Sequence, residues 1–151
     1  MVQEEAVVIL ALQETLAGYK HYPPQLEGYR AYTFPAQEDF REIAMFISRD
    51  LASYEVPHGL CWLVHVKVFD YMGWDGPTHF LNIYLKSGEW HHRARGVALK
   101  AVKGIVNKIL EHAPEARVVV LGDFNEETDK CLKHLEVGGG QPPCCGTICG
   151  F

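Results

Sequence analysis

Val118-Val119-Val120-Leu121 is an unbroken aliphatic run that stops at Gly122 and gives way at once to Asp123-Phe124-Asn125-Glu126. A run of this kind, rich in β-branched residues, reads as a strand buried on both faces. Side chains two apart point the same way along an extended chain, so Asp123 and Asn125 converge while Phe124 turns back towards the core. A strand with this ending holds a charged oxygen and an amide at the rim of a rigid body, where hard cations and phosphate oxygens find partners. The same string also fits a buried strand followed by an ordinary polar turn, because Asp and Asn bond readily to their own backbone. Alone, it supports both readings equally.

Ala6 to Leu12 repeats the pattern near the start of the chain: a short apolar run closed by Gln13-Glu14-Thr15. Between these two runs the sequence predicts four further strands. Gly28–Phe34 alternates aromatic with small or polar residues, as a half-exposed strand does. Ile43–Ser48 follows the polar turn Gln37-Glu38-Asp39. Leu60–Phe69 and His79–Leu85 flank Gly73-Trp74-Asp75-Gly76-Pro77, which predicts a hairpin. His65 and Lys67 share a face of the first of these, and His65 and His79 are expected as a cross-strand polar pair. A long helix is predicted from Trp90 to His112, with a stripe of Val97, Val102, Ile105, Val106, Ile109 and Leu110 falling near spacings of three and four. Pro114 stops it. Thr128–Leu135 fits one more short helix, and Gly138-Gly139-Gly140 with Pro142-Pro143 ends regular structure. The expected class is α/β or α+β with a mixed sheet.

The 151 residues suffice for one domain. The expected division is a partial domain over residues 1–137 and an irregular Gly/Pro/Cys-rich tail over 138–151. A formal net charge of −5 argues against gripping nucleic acid by bulk charge, though not against reaching phosphate through a metal ion. The acidic start, Met1-Val2-Gln3-Glu4-Glu5, lacks the basic region of a secretory signal. No apolar run approaches membrane-spanning length. The expectation is an intracellular protein, nuclear or cytoplasmic, with no membrane and no obligate protein partner. Five cysteines without secretory context make no disulfide framework.

Leu12-Gln13-Glu14-Thr15, Asn82-Ile83-Tyr84-Leu85-Lys86-Ser87 and Leu121-Gly122-Asp123-Phe124-Asn125, in this order and each at a strand end, resemble the endonuclease/exonuclease/phosphatase superfamily. The flavour is closest to endonuclease domains of non-LTR retrotransposons. The resemblance runs from about Val7 to Asn125. It implies part of a DNase I-like sandwich of two mixed sheets with helices outside, and catalysis at the sheets' common edge. It implies a Mg²⁺- or Mn²⁺-dependent phosphodiester hydrolase, a DNA endonuclease first, with nucleic acid as substrate. Glu14 would hold the metal, Asp123 would orient or deprotonate the attacking water, Asn125 would bond the scissile phosphate, and Tyr84 matches a phosphate-contacting tyrosine.

Two parts of the family pattern have no match: an Asn-bearing strand ahead of Glu14, and an Asp-His pair after Asn125. The chain therefore resembles a domain clipped at both ends. The alternative to an enzyme is a catalytically inactive remnant, at most a binding fragment. Weaker candidates read as structural. His91 and His92 point about 100° apart on a helix, and Arg93 and Arg95 fit a solvated helix start. Cys144, Cys145 and Cys149 lack the spacing of a zinc module.

Overall fold

The computed structural model describes residues 7–15, 25–35 and 42–135. The turn at Gln37–Asp39, most of the loop from Gly18 to Gly28, and the tail over 138–151 lie outside the described residues. Seven strands and two helices run in the order β1 (Ile9–Thr15), β2 (Tyr29–Phe34), β3 (Glu42–Ser48), β4 (Ser53–Glu55), β5 (Leu63–Val68), β6 (Thr78–Tyr84), α1 (His92–His112), β7 (Arg117–Asp123) and α2 (Thr128–Leu135).

The strands form two sheets, ordered β1-β3-β2 and β4-β5-β6-β7. Every pairing is antiparallel except β6 with β7, which is parallel. The reason is topological: α1 lies between β6 and β7, and only a crossover of that length lets the second strand run the same way. The parallel register pairs Ile83 with Gly122 and Tyr84 with Asp123, so β6 and β7 end together.

Alternation along β5 and β6 sorts the core into two layers. Val64, Val66, Val68, Phe80 and Tyr84 face the first sheet and meet Ile43, Met45 and Ile47 of β3. Leu63, Leu81 and Ile83 face the other way and meet Ala98, Leu99 and Val102 of α1, with Phe124 and Cys131 closing that layer. The result is a mixed α+β sandwich with the long helix outside, as expected.

Four readings of the sequence need correction. The short strand β4 was not foreseen; three residues beside the end of β3 give no periodicity to detect. The helix buries Leu99, whereas Val97, placed in the apolar stripe, is 65% exposed. Arg95, expected in solvent, is buried. Val102, Ile105, Val106 and Ile109 do pack on the core; Val97, five residues before Val102, lies about 140° off their face, while Arg95, seven before it, lies on that face. The two runs read as buried on both faces, β1 and β7, stand at sheet edges among the described residues and are only half-buried.

Candidate active site

The motif around Glu14 is shaped by a kink. β1 pairs regularly with β3 as far as Leu12, then slips before Thr15, and Glu14 has φ of +53°. A non-glycine residue rarely takes this left-handed geometry, and a bulge of this kind re-aims a side chain at a sheet edge. The Glu14 carboxylate is aimed across the sandwich, where it accepts a hydrogen bond of 2.5 Å from the Tyr84 hydroxyl. Thr15 donates to the carbonyl of Glu42 at 3.3 Å and fixes the strand beyond the bulge.

Beneath Glu14 and Tyr84 lies Asn82, fully buried in β6. Its Nδ2 donates to the carbonyls of Leu12 and Ala44, at 3.2 and 3.0 Å. Its Oδ1 accepts from Nε2 of Gln13 at 2.6 Å. One amide thereby ties β1, β3 and β6 together across the two sheets. Sequence reasoning quoted Asn82 within a motif but gave it no role. A polar residue at a core-facing position of an apolar strand was the available signal, since such a group must find partners.

The second half of the site follows β7. Gly122 has φ of +131°, and a Cβ there would stand 2.0 Å from the carbonyl oxygen of Ile83. Only glycine lets the strand run this close to β6 before delivering Asp123. Asp123 Oδ1 then accepts the backbone N–H of Asn125 at 3.0 Å. Asn125 turns with φ of +46°, and its Nδ2 donates to the carbonyl of Leu85 at 2.7 Å. Asp123 and Asn125 thus come together through a side-chain-closed turn, not through an extended chain as expected. Phe124 is buried in the helix-side core, as the sequence suggested.

Glu14 and Asp123 do end up at one edge. Their strands belong to different sheets. The link is Tyr84, hydrogen-bonded to Glu14 from β6 and paired in register with Asp123 of β7.

A charged cluster braces the loops behind this edge. Arg95 Nη1 donates to the carbonyls of Lys86 and Gly88, at 3.1 and 2.8 Å. Its Nε reaches Oε2 of Glu126 at 3.3 Å, and His92 meets the same oxygen at 2.9 Å. Burial works against the charge on Glu126. Hydrogen bonds from His92, Arg95 and the Glu127 backbone outweigh it and hold the carboxyl down at about 2.

Among the described residues, no three His, Cys, Asp or Glu side chains gather closely enough to hold a metal ion. Magnesium keeps several of its waters and needs only one or two carboxylates from a protein. Glu14 and Asp123, two oxygen donors brought to one edge from facing sheets, fit that requirement. No helix among the described residues is long and apolar enough to cross a membrane.

The fold has counterparts among solved structures. Humanized D. rerio TDP2 superimposes with a TM-score of 0.58 at 18% identity, over 89% of this chain and 54% of that one. The human Nocturnin catalytic domain, solved with a bound sulfate anion, gives 0.57 at 21% identity, over 84% and 55%. Truncated Caenorhabditis elegans TDP2 gives 0.53 at 19% identity, over 68% and 42%. The fold is DNase I-like. Both neighbours are members of the DNase I-like endonuclease/exonuclease/phosphatase superfamily, which bears out the resemblance at the level of fold; the retrotransposon flavour is not part of that likeness. The chain spans roughly half or less of the length of these structures, from 42% to 55%. No family model matches the chain, and no curated protein does.

Proposed function

We propose that this chain carries the catalytic edge of a divalent-metal-dependent phosphodiester hydrolase with a nucleic acid as substrate. One observation carries the reading. A kinked strand in one sheet and a glycine-thinned strand in the other deliver Glu14, Tyr84, Asp123 and Asn125 to a common edge of a DNase I-like sandwich. The sulfate bound by the human Nocturnin domain is a tetrahedral oxyanion, the shape of a phosphodiester.

In this reading Glu14 would hold Mg²⁺ or Mn²⁺, which when bound would offset negative charge on the phosphoryl group, and Asp123 stands beside it as the proton acceptor. Tyr84 fixes the Glu14 carboxylate by donating to it. Oδ1 of Asp123 is engaged by the Asn125 backbone, which leaves Oδ2 to accept a proton from water. As that proton moves, the water oxygen bonds to phosphorus and the bond to the leaving oxygen breaks. The leaving oxygen takes a proton from solvent. Asn125 has one N–H on Leu85 and a second to offer a non-bridging phosphate oxygen. DNA is the preferred substrate and internal nicking the preferred mode, in keeping with a retrotransposon-type endonuclease.

A supercoiled-plasmid nicking assay in Mg²⁺ and Mn²⁺ tests this reading. Wild-type protein should nick slowly, and Glu14→Gln, Asp123→Asn and Asn125→Ala should each lower the rate by about 10²-fold or more. Equal rates for all four proteins would overturn it.

A second reading, a domain that binds phosphodiesters without cleaving them, is favoured by the way the edge closes on itself. Tyr84 is engaged by Glu14, and Asn125 by Leu85 and Asp123. Retained oligonucleotide binding with no nicking in either metal would select it.

A further inference from the structure

The loop that leaves β6 presents an aromatic ring where solvent should have removed it. Gly88 turns the chain with φ of +96°, a 3₁₀ turn follows over Glu89–His91, and Trp90 in its middle is 96% exposed. Tryptophan is normally among the more covered residue types. The turn is also held in place: the buried Arg95 bonds to the carbonyls of Lys86 and Gly88 on one side and to Glu126 on the other. A buried guanidinium that fixes the carbonyls of a short loop makes Trp90 a rigid fixture. It stands a few residues beyond Tyr84, at the end of β6 that bears the candidate site.

The outward ridge of α1 continues from this ring. Arg93, Val97 and Lys100 are all exposed, and seven-residue spacing returns to nearly the same direction on a helix. Arg93 and Lys100 are therefore about 10 Å apart along the ridge. Neither is paired with a carboxylate among the described residues. Glu89, beside Trp90, is the acidic neighbour at the head of the ridge. On a chain with net charge −5, two unpaired cations in line behind an exposed indole match a ligand with a flat face and a polyanionic backbone.

We infer that Trp90, Arg93 and Lys100 form a track for a single-stranded nucleic acid, with Trp90 stacking on a base and the two cations meeting phosphates. A duplex offers no free base face to the ring, whereas an unpaired strand does. The track rests on the proposed reading of the site, because it leads a strand to or from the edge that holds Glu14 and Asp123. It holds an unpaired segment of the DNA beside that edge and takes no part in the chemistry.

The test is fluorescence anisotropy with a labelled single-stranded DNA 12-mer in EDTA, paired with hydrolysis of bis(p-nitrophenyl) phosphate in Mn²⁺. In the first measurement Trp90→Ala should raise Kd about tenfold, and Trp90→Phe should stay within about twofold of wild type. Arg93→Ala and Lys100→Ala should each flatten the dependence of log Kd on log salt by about one unit. Wild-type tryptophan emission should be quenched by the oligonucleotide, and that quenching should vanish in Trp90→Ala. Duplex of the same length should bind more weakly and be indifferent to Trp90. In the second measurement Trp90→Ala should hydrolyse the small diester at the wild-type rate, while Glu14→Gln should not. Loss of binding in Trp90→Ala with no hydrolysis by any protein would sink the enzymatic reading and leave the track standing. Wild-type affinity in Trp90→Ala would overturn the track, as would failure of the wild type to bind single strands. Trp90-dependent binding to anionic phosphatidylserine vesicles but not to DNA would overturn it too.

Discussion

Gly122 and Asn82 do more for the candidate site than their chemistry suggests. Gly122 combines a left-handed φ with a missing Cβ that would otherwise meet the Ile83 carbonyl at 2.0 Å. Gly122→Ala should therefore cost about 3 kcal/mol or more, at the upper end for a single methyl group, and urea denaturation would measure it. Asn82→Ala should strand two buried carbonyls and the Gln13 amide, at about 1–3 kcal/mol per unsatisfied group before relaxation. Because Asn82 spans the two sheets, that variant should also lower affinity for Mn²⁺ at Glu14 without touching the carboxylate. At this scale the sequence was partly legible. Glu14, Asp123 and Asn125 stood out because strand ends followed by carboxylates are visible as patterns. The partners of Asn82 and the pairing of Arg95 with Glu126 were not visible, because 31 residues of separation or 69 look alike to a periodicity argument.

At the scale of elements, the outer face of the second sheet holds a chain of three imidazoles. His58 Nε2 meets His65 Nδ1 at 2.8 Å, and His65 Nε2 meets His79 Nδ1 at 2.8 Å. The cross-strand pair of His65 and His79 was anticipated, and the register makes it a diagonal one; His58, from the loop ahead of β5, was not. Burial, then the charges of His79, His58 and Lys67, pushes His65 down to about 3. Burial, then Lys67, pushes His79 down to about 4. Both rings are thus neutral in the folded protein well below 6.5, the pH at which the unfolded chain begins to bind protons. Stability is full above pH 6.5 and falls as pH drops from there towards 4 and then 3, by up to about 1.4 kcal/mol per pH unit per ring. Glu126 adds its own loss only below 4.5, down to about 2. Between pH 6.5 and 4.5 the histidines should dominate. Denaturation midpoints of wild type and His65→Leu across that window should show a smaller slope for the variant; equal slopes would mean that the buried imidazoles are not the acid-labile groups. The helix and six of the seven strands were legible because their patterns extend over several residues. The head of the helix was less legible, since a charged Arg95 on the core-facing side and an apolar Val97 on the outer side run against the residue types that mark burial.

At the scale of the whole molecule, β1 and β7 pack against each other across the sandwich while each forms an outer strand of its own sheet among the described residues. The candidate site sits where these two outer strands end. Exposed apolar strand edges invite pairing with other chains, so the 151-residue chain should self-associate as its concentration rises. Sedimentation velocity would detect this, and a single monomeric species up to high concentration would argue that the edges are covered. The order of strands and helix gave only a mixed α+β class; the two-sheet architecture came from the family resemblance of the three motifs. Which strands lie inside was not readable, because an apolar run records that a strand can be buried and not what covers it.

The central claim is that two sheets deliver Glu14 and Asp123 to one edge as a phosphate-directed cation site. Isothermal titration with Mn²⁺ of wild type, Glu14→Gln and Asn125→Ala tests it most directly. Weak binding by the wild type, none by Glu14→Gln, and near-wild-type binding by Asn125→Ala is the predicted result. Wild-type binding by Glu14→Gln would contradict it.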